Sequence, residues 1–119
     1  MWVFTETGFV SIVNHHEKKN NMLVRGRIKE DVIGFRDLSG STNIVSHTPQ
    51  NDYPYRTILT KKQVTKAMQN TIKKIQYTNF KEAVHDGTSR DPCYVQIWST
   101  LVEYLQYNLT FPPNWDKKN

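Results

Sequence analysis

Residues 8–28, GFVSIVNHHEKKNNMLVRGRI, hold two short runs of β-branched and apolar residues around a polar, turn-forming centre. The first run (8–16) and the second (21–28) therefore read as the arms of a β-hairpin, with EKKNN as its turn. Successive strand side chains point to opposite faces, so Met22, Val24 and Ile28 share one face of the second arm, and Leu23, Arg25 and Arg27 the other. One face is apolar; on the other, two arginines project together. A hairpin of this kind needs further strands and a covering layer before it is stable.

The flanking sequence supplies both. TNIVSH (42–47) and YPYRTILT (53–60) read as two more strands joined by a turn at Pro49 to Asp52. Pro54 has no N–H for a ladder, which marks a sheet edge or bulge. KEDVIGFRDL (29–38) has Val32, Ile33, Phe35 and Leu38 at near-helical spacing, acids at its start and Gly40 just beyond as a stop. From Lys61 the period is helical: Val64, Met68, Ile72 and Ile75 form a stripe, and Lys61, Lys62, Lys66, Lys73 and Lys74 occupy the remaining surface. Asn79 with Glu82 three residues on has the spacing of a capping box and starts a short helix through Val84, closed by Asp86 and Gly87. SRDPC (89–93) opens the last and longest helix, with Ser89 or Asp91 as cap and Pro92 in the first turn. Tyr94, Ile97, Trp98, Leu101, Leu105 and Leu109 line one face of it, and FPP (111–113) ends it. The expected fold is one α+β domain over 1–115, an antiparallel sheet from the N-terminal half with C-terminal helices packed on one face, and a flexible tail over 116–119. The uncovered face suits a second copy of the chain, particularly where Trp2, Phe4, Phe9 or Tyr55 are exposed on it.

Composition narrows the function. At 119 residues with 37% apolar residues, the chain is long enough for one core. Sixteen Lys and Arg against eleven Asp and Glu give a net charge of +5, with a pI near 9.4, which favours anionic partners. The opening MWVFTETGFV has neither a basic leader nor an unbroken apolar stretch, so no export signal or membrane span is expected, and a single cysteine suits a reducing cytoplasm. Cys93 near a helix start invites a thiol-enzyme reading, but a lone cysteine there reads better as a small buried residue. His15 and His16, adjacent on a strand, face opposite ways and do not share a metal. Neither a phosphate loop nor a dinucleotide fingerprint nor a hydrolase elbow is present, and the expectation is binding without catalysis, metal or cofactor.

The candidate anion-binding groups are Arg25 and Arg27 on one strand face, Arg56 after two tyrosines, Lys81 in the first turn of a short helix and Arg90 at the entrance to the last one. Phe80 or Trp98 would stack a base and Asn79 would hydrogen-bond to it, although Phe80 and Trp98 at helical spacing read first as core side chains. Two rivals remain open. In one, a small nucleic-acid-binding protein tracks phosphates with its lysine helix and RGR run; in the other, a phage protein inhibits a host protein through its aromatic surface.

Taken together, MWVFTETGFVSIV (1–13), NMLVRGRIKED (21–31), DYPYR (52–56), YTNFKEAV (77–84) and a Trp inside the last helix resemble a family of small bacterial and phage proteins that open on a Met-Trp-x-Phe-Thr block. That family includes the phage Thoeris anti-defence proteins of the first described type. The resemblance implies a protein that acts in the cytoplasm of an infected bacterium, where it sequesters the cyclic ADP-ribose isomer made by an immune TIR-domain enzyme (glycocyclic ADP-ribose) without cleaving it. It also implies a homo-oligomer, a hexamer or another dimer-based assembly, and in some members separate sites for cyclic trinucleotides. By position in the YTNFK block, Phe80 resembles the stacking aromatic of the family, with Asn79 and Lys81 beside it, and Arg90 a contact in the connecting turn. Arg25 and Arg27 resemble the early arginines of the family and would serve the oligonucleotide site.

Overall fold

The structure is a computed structural model that describes residues 1–85 and 89–107. They fall into two compact units, Met1–Thr78 and the chain from Asn79 onward. The first unit is the α+β body expected from the sequence. Its five strands are β1 (Trp2–Thr5), β2 (Gly8–Asn14), β3 (Asn21–Gly26), β4 (Ser46–His47) and β5 (Tyr55–Thr60), arranged in the order β1-β2-β3-β5-β4 with every neighbouring pair antiparallel. The hairpin of residues 8–28 is the centre of this sheet, with β3 between β2 and β5.

The register explains which face becomes the core. Ile12 lies opposite Val24, and Val24 opposite Thr57. Val24 and Leu59 are fully buried, and with Val10 and Ile12 they meet Val32 and Phe35 of helix α1 (Lys29–Leu38) and Val64 and Ala67 of helix α2 (Lys61–Lys73). The helices that cover the sheet are therefore α1, which comes from the N-terminal half, and α2, both packed on β3 and β5 and on each other. β5 runs into α2 without a loop. Thr60, the last strand residue, accepts the Gln63 N–H at 3.1 Å while the Gln63 side chain accepts the Thr60 N–H at 2.9 Å, a complete capping box. Asp31 ties the start of α1 to the sheet by accepting the Phe9 N–H at 3.0 Å.

Several expectations change. Residues 42–47 form only the two-residue β4, because 42–45 run beside β5 without pairing to it. Tyr55 does not join the aromatics of the open face; it lies opposite Gly26, in phase with Thr57 and Leu59, and packs against the core. In α2 the buried stripe is Val64, Ala67 and the half-buried Met68, whereas Ile72 is exposed, as is Ile75, which lies beyond the end of the helix at Lys73.

The second unit contains α3 (Phe80–His85) and α4 (Asp91–Leu101), which continues as a π-helical stretch over Val102–Tyr107. Asn79 caps α3 as expected: its side-chain oxygen accepts the Glu82 N–H at 3.0 Å. Neither Ser89 nor Asp91 caps α4. Arg90 holds the cap position without a side-chain capping bond, and the Asp91 carboxylate faces His85 at 3.3 Å instead. No residue of α4 is buried; Trp98, Leu101 and Leu105 of the apolar stripe are exposed. Asp86, Gly87, Leu109, the FPP stop and the tail at 116–119 lie outside the described residues.

Two glycines test the packing of α1 on the sheet. A methyl group on Gly26 would stand 2.8 Å from Val32 Cγ2, so Gly26→Ala should cost about 1–3 kcal/mol in urea denaturation. Gly34, inside α1, has nothing within 4 Å of such a group, and Gly34→Ala should stabilise the protein by about 0.5–1 kcal/mol.

Candidate functional site

The alternation that sends Val24 into the core sends Arg25 to the opposite face of the sheet. Cross-strand pairing there aligns Trp2, Ser11, Arg25, Arg56 and Ser46 in one row across all five strands. Arg25 donates from Nη2 to Ser11 Oγ at 3.0 Å. The loop between β4 and β5 folds back over this face and brings Tyr53 with it. The Arg25 and Arg27 guanidinium carbons both lie over the Tyr53 ring, at 4.6 and 4.7 Å from its centre. Arg56 donates to the Tyr53 carbonyl at 3.2 Å. Phe9 leans on the same ring at 6.5 Å, stacks on Phe4 at 4.6 Å and meets Trp2 edge-on at 6.0 Å.

Three guanidinium groups therefore share one aromatic-lined surface. The carboxylate that answers them is Asp52, whose Oδ1 and backbone carbonyl accept from Arg27 Nη1 at 3.0 and 2.7 Å. This hydrogen bond pulls the Arg27 pKa above its ordinary value against the opposing effect of burial. The Nε–H groups of Arg25 and Arg56 are buried and have no acceptor. A buried donor left without a partner costs about 1–3 kcal/mol, and here two of them lie beside one tyrosine.

The remaining predicted residues lie in the second unit. Lys81 Nζ sits 4.0 Å over the Trp98 ring, and Phe80 stacks on Tyr94 with ring centres 6.0 Å apart. Asn79 is engaged as the α3 cap, and the Arg90 carbonyl accepts the Tyr94 N–H at 3.0 Å. The expectation of a core Trp98 is corrected: the ring is 47% exposed, with a cation on it. Of the eight predicted residues, Arg25, Arg27 and Arg56 thus meet at Tyr53 in the first unit, and in the second unit Lys81 meets Trp98 and Phe80 meets Tyr94, while Asn79 serves as a cap and Arg90 as a backbone acceptor. Tyr53, Asp52 and Ser11 were missed. Strand alternation places Ser11 beside Arg25, but the return of the 48–54 loop leaves no periodic signal.

Other expectations change here too. β2 ends at Asn14, so His15 and His16 escape the alternation of a strand and stack on each other at 4.8 Å. His15 Nδ1 accepts the N–H groups of Glu17 and Lys18 at 3.1 and 3.0 Å. Cys93 is exposed rather than buried. Among the described residues there is no cluster of three potential metal ligands, and no helix is long and apolar enough to cross a membrane.

Tyr77 gives the molecule a titratable mark. Partial burial, and then Glu6, push its pKa above the ordinary 10.0. The folded state therefore holds this proton more tightly than the unfolded chain, a contribution that is present below the unfolded pKa and is lost as pH rises through the folded one. Stability should fall as pH climbs above about 10, and Tyr77→Phe should flatten that fall in denaturation curves taken across the range. No family model, no curated protein and no solved structure matches the chain.

Proposed function

We propose that this protein is a phage immune-evasion protein that binds a cyclic ADP-ribose isomer, with cyclic oligonucleotides as a second ligand class, and holds it without cleaving it. The observation that carries this reading is the pair of buried, acceptor-less Nε–H groups of Arg25 and Arg56 beside Tyr53, whose ring lies under Arg25 and Arg27. Fork-shaped guanidinium groups suit phosphate oxygens, and the aromatic surface suits a base. The Lys81–Trp98 and Phe80–Tyr94 pairs are a second combination of cation and ring of the kind that a nucleotide takes. Sequestration needs affinity alone, in keeping with a surface that offers cations and rings.

A polynucleotide tracked along one basic face is a weaker reading. The α2 lysines belong to a helix that packs on the core face of the sheet, whereas the arginine row is on the other face, so the two sets of charge do not make one continuous track. The proposed assembly is a homo-oligomer, supported by the exposed Trp98, Leu101, Tyr104 and Leu105.

Calorimetric titration with glycocyclic ADP-ribose, ordinary cyclic ADP-ribose and a cyclic trinucleotide tests the proposal, followed by heat denaturation and recovery of the ligand. Binding with intact recovery is expected, and no heat with any of the three overturns it. Arg25→Ala should weaken binding roughly 10- to 100-fold, the value of hydrogen bonds to a charged group. Asp52→Asn, which removes the negative charge beside Arg27 and keeps the backbone acceptor, should strengthen it while changing stability by less than about 1 kcal/mol. In ultracentrifugation, Leu101→Glu combined with Leu105→Glu should shift the assembly towards the monomer.

A further inference from the structure

Between β5 and the unpaired segment before β4 runs an open groove of about 610 Å³. Leu23 and Ile58, paired across β3 and β5, give it an apolar wall, and Arg56, Asn43, Ile44 and His15 also line it. Arg56 lines the groove, and its Nε–H is buried and without an acceptor. The backbone edge of β5 is already occupied here: the Arg56 carbonyl accepts from Ser46 Oγ at 3.3 Å and the Ile58 carbonyl from Asn43 Nδ2 at 2.7 Å. An added strand therefore finds these acceptors taken, which leaves the groove to a small molecule. His15 contributes a second donor. Its Nδ1 accepts two backbone N–H groups, so the neutral ring carries its proton on Nε2.

We infer that this groove binds a small ligand made of an oxyanion and a compact apolar or aromatic body, the oxyanion taken by Arg56 Nε–H and the body lying on Leu23 and Ile58. This goes beyond the sequestration reading, since it requires neither a cyclic nucleotide nor the second unit, and its chemistry fits a phosphate monoester or a carboxylate equally. Charge complementarity argues for an anion, because Arg56 is the charged side chain of the groove and no carboxylate lines it.

The buried Arg56 Nε–H allows a direct test by nitrogen–proton and methyl NMR on the intact chain. Millimolar phenyl phosphate and benzoate should each shift the Arg56 Nε–H resonance together with the Leu23 and Ile58 methyls, their ratio separating phosphate from carboxylate preference. Inorganic phosphate should move Arg56 alone. Arg56→Lys keeps the charge and removes the Nε–H, and should weaken both aromatic probes by at least about tenfold. Ile44→Ser, at an 84% exposed rim position, leaves the fold intact and should weaken only the ring-bearing probes. Silence at Arg56 with every probe overturns the inference. So does a shift of Arg56 by phenyl phosphate and benzoate that leaves the Leu23 and Ile58 methyls unmoved, which would keep the anion site of the sequestration reading and leave this groove empty of function.

Discussion

The alternation of β3 is the constraint on which the rest depends. Val24 must face the helices, because it is the fully buried contact between sheet and helices, and Arg25 must then face the other way. A shift of one residue would bury a guanidinium under α1 and expose the centre of the core. The turn fixes this register from one end, through His15 Nδ1 and the left-handed Asn20. The Thr60 capping box holds the same end, since Thr60 lies opposite Asn21, the first residue of β3, and starts α2. The stability of the body and the presentation of the arginines follow from one choice of register.

Within the first unit α1 and α2 cover one face of the sheet, and the other face carries rings and guanidinium groups in place of a layer from that unit. Aromatic rings from β1 and β2 and one from the β4–β5 loop spread over the uncovered face, and guanidinium groups lie against one of them. Arginine suits such a position because its planar head is weakly hydrated and stacks while its edge still donates. The cost is the buried N–H groups without acceptors at Arg25 and Arg56. A purely structural surface gains nothing from them.

What was legible in the sequence was what has a period. The hairpin of 8–28, helices α1 and α2 and the shared face of Arg25 and Arg27 follow from spacing alone. The opaque features depend on where an element stops. Ile72 and Ile75 continue a helical stripe perfectly well, but α2 ends at Lys73 and neither side chain joins the core, so they stay in water. Residues 42–45 have strand composition and yet run unpaired, because Asn43 spends its side chain on the Ile58 carbonyl. Tyr53 was the most consequential omission; a proline-flanked tyrosine in a polar loop carries no signal that the loop will fold back over two arginines.

The Asp52–Arg27 pair has a consequence for discrimination. Asp52 is an internal placeholder: it holds one guanidinium by two hydrogen bonds when nothing else is present. An incoming anion competes with a carboxylate already in position, so a lone weak charge gains little by arriving. Arg25 and Arg56 are held by neutral oxygens instead: Arg25 donates to Ser11 Oγ and Arg56 to the Tyr53 carbonyl, and the Nε–H of each has no acceptor. The three guanidinium groups are thus unequal, and on the reading proposed above a second charge is what would separate a ligand able to displace Asp52 from one that is not.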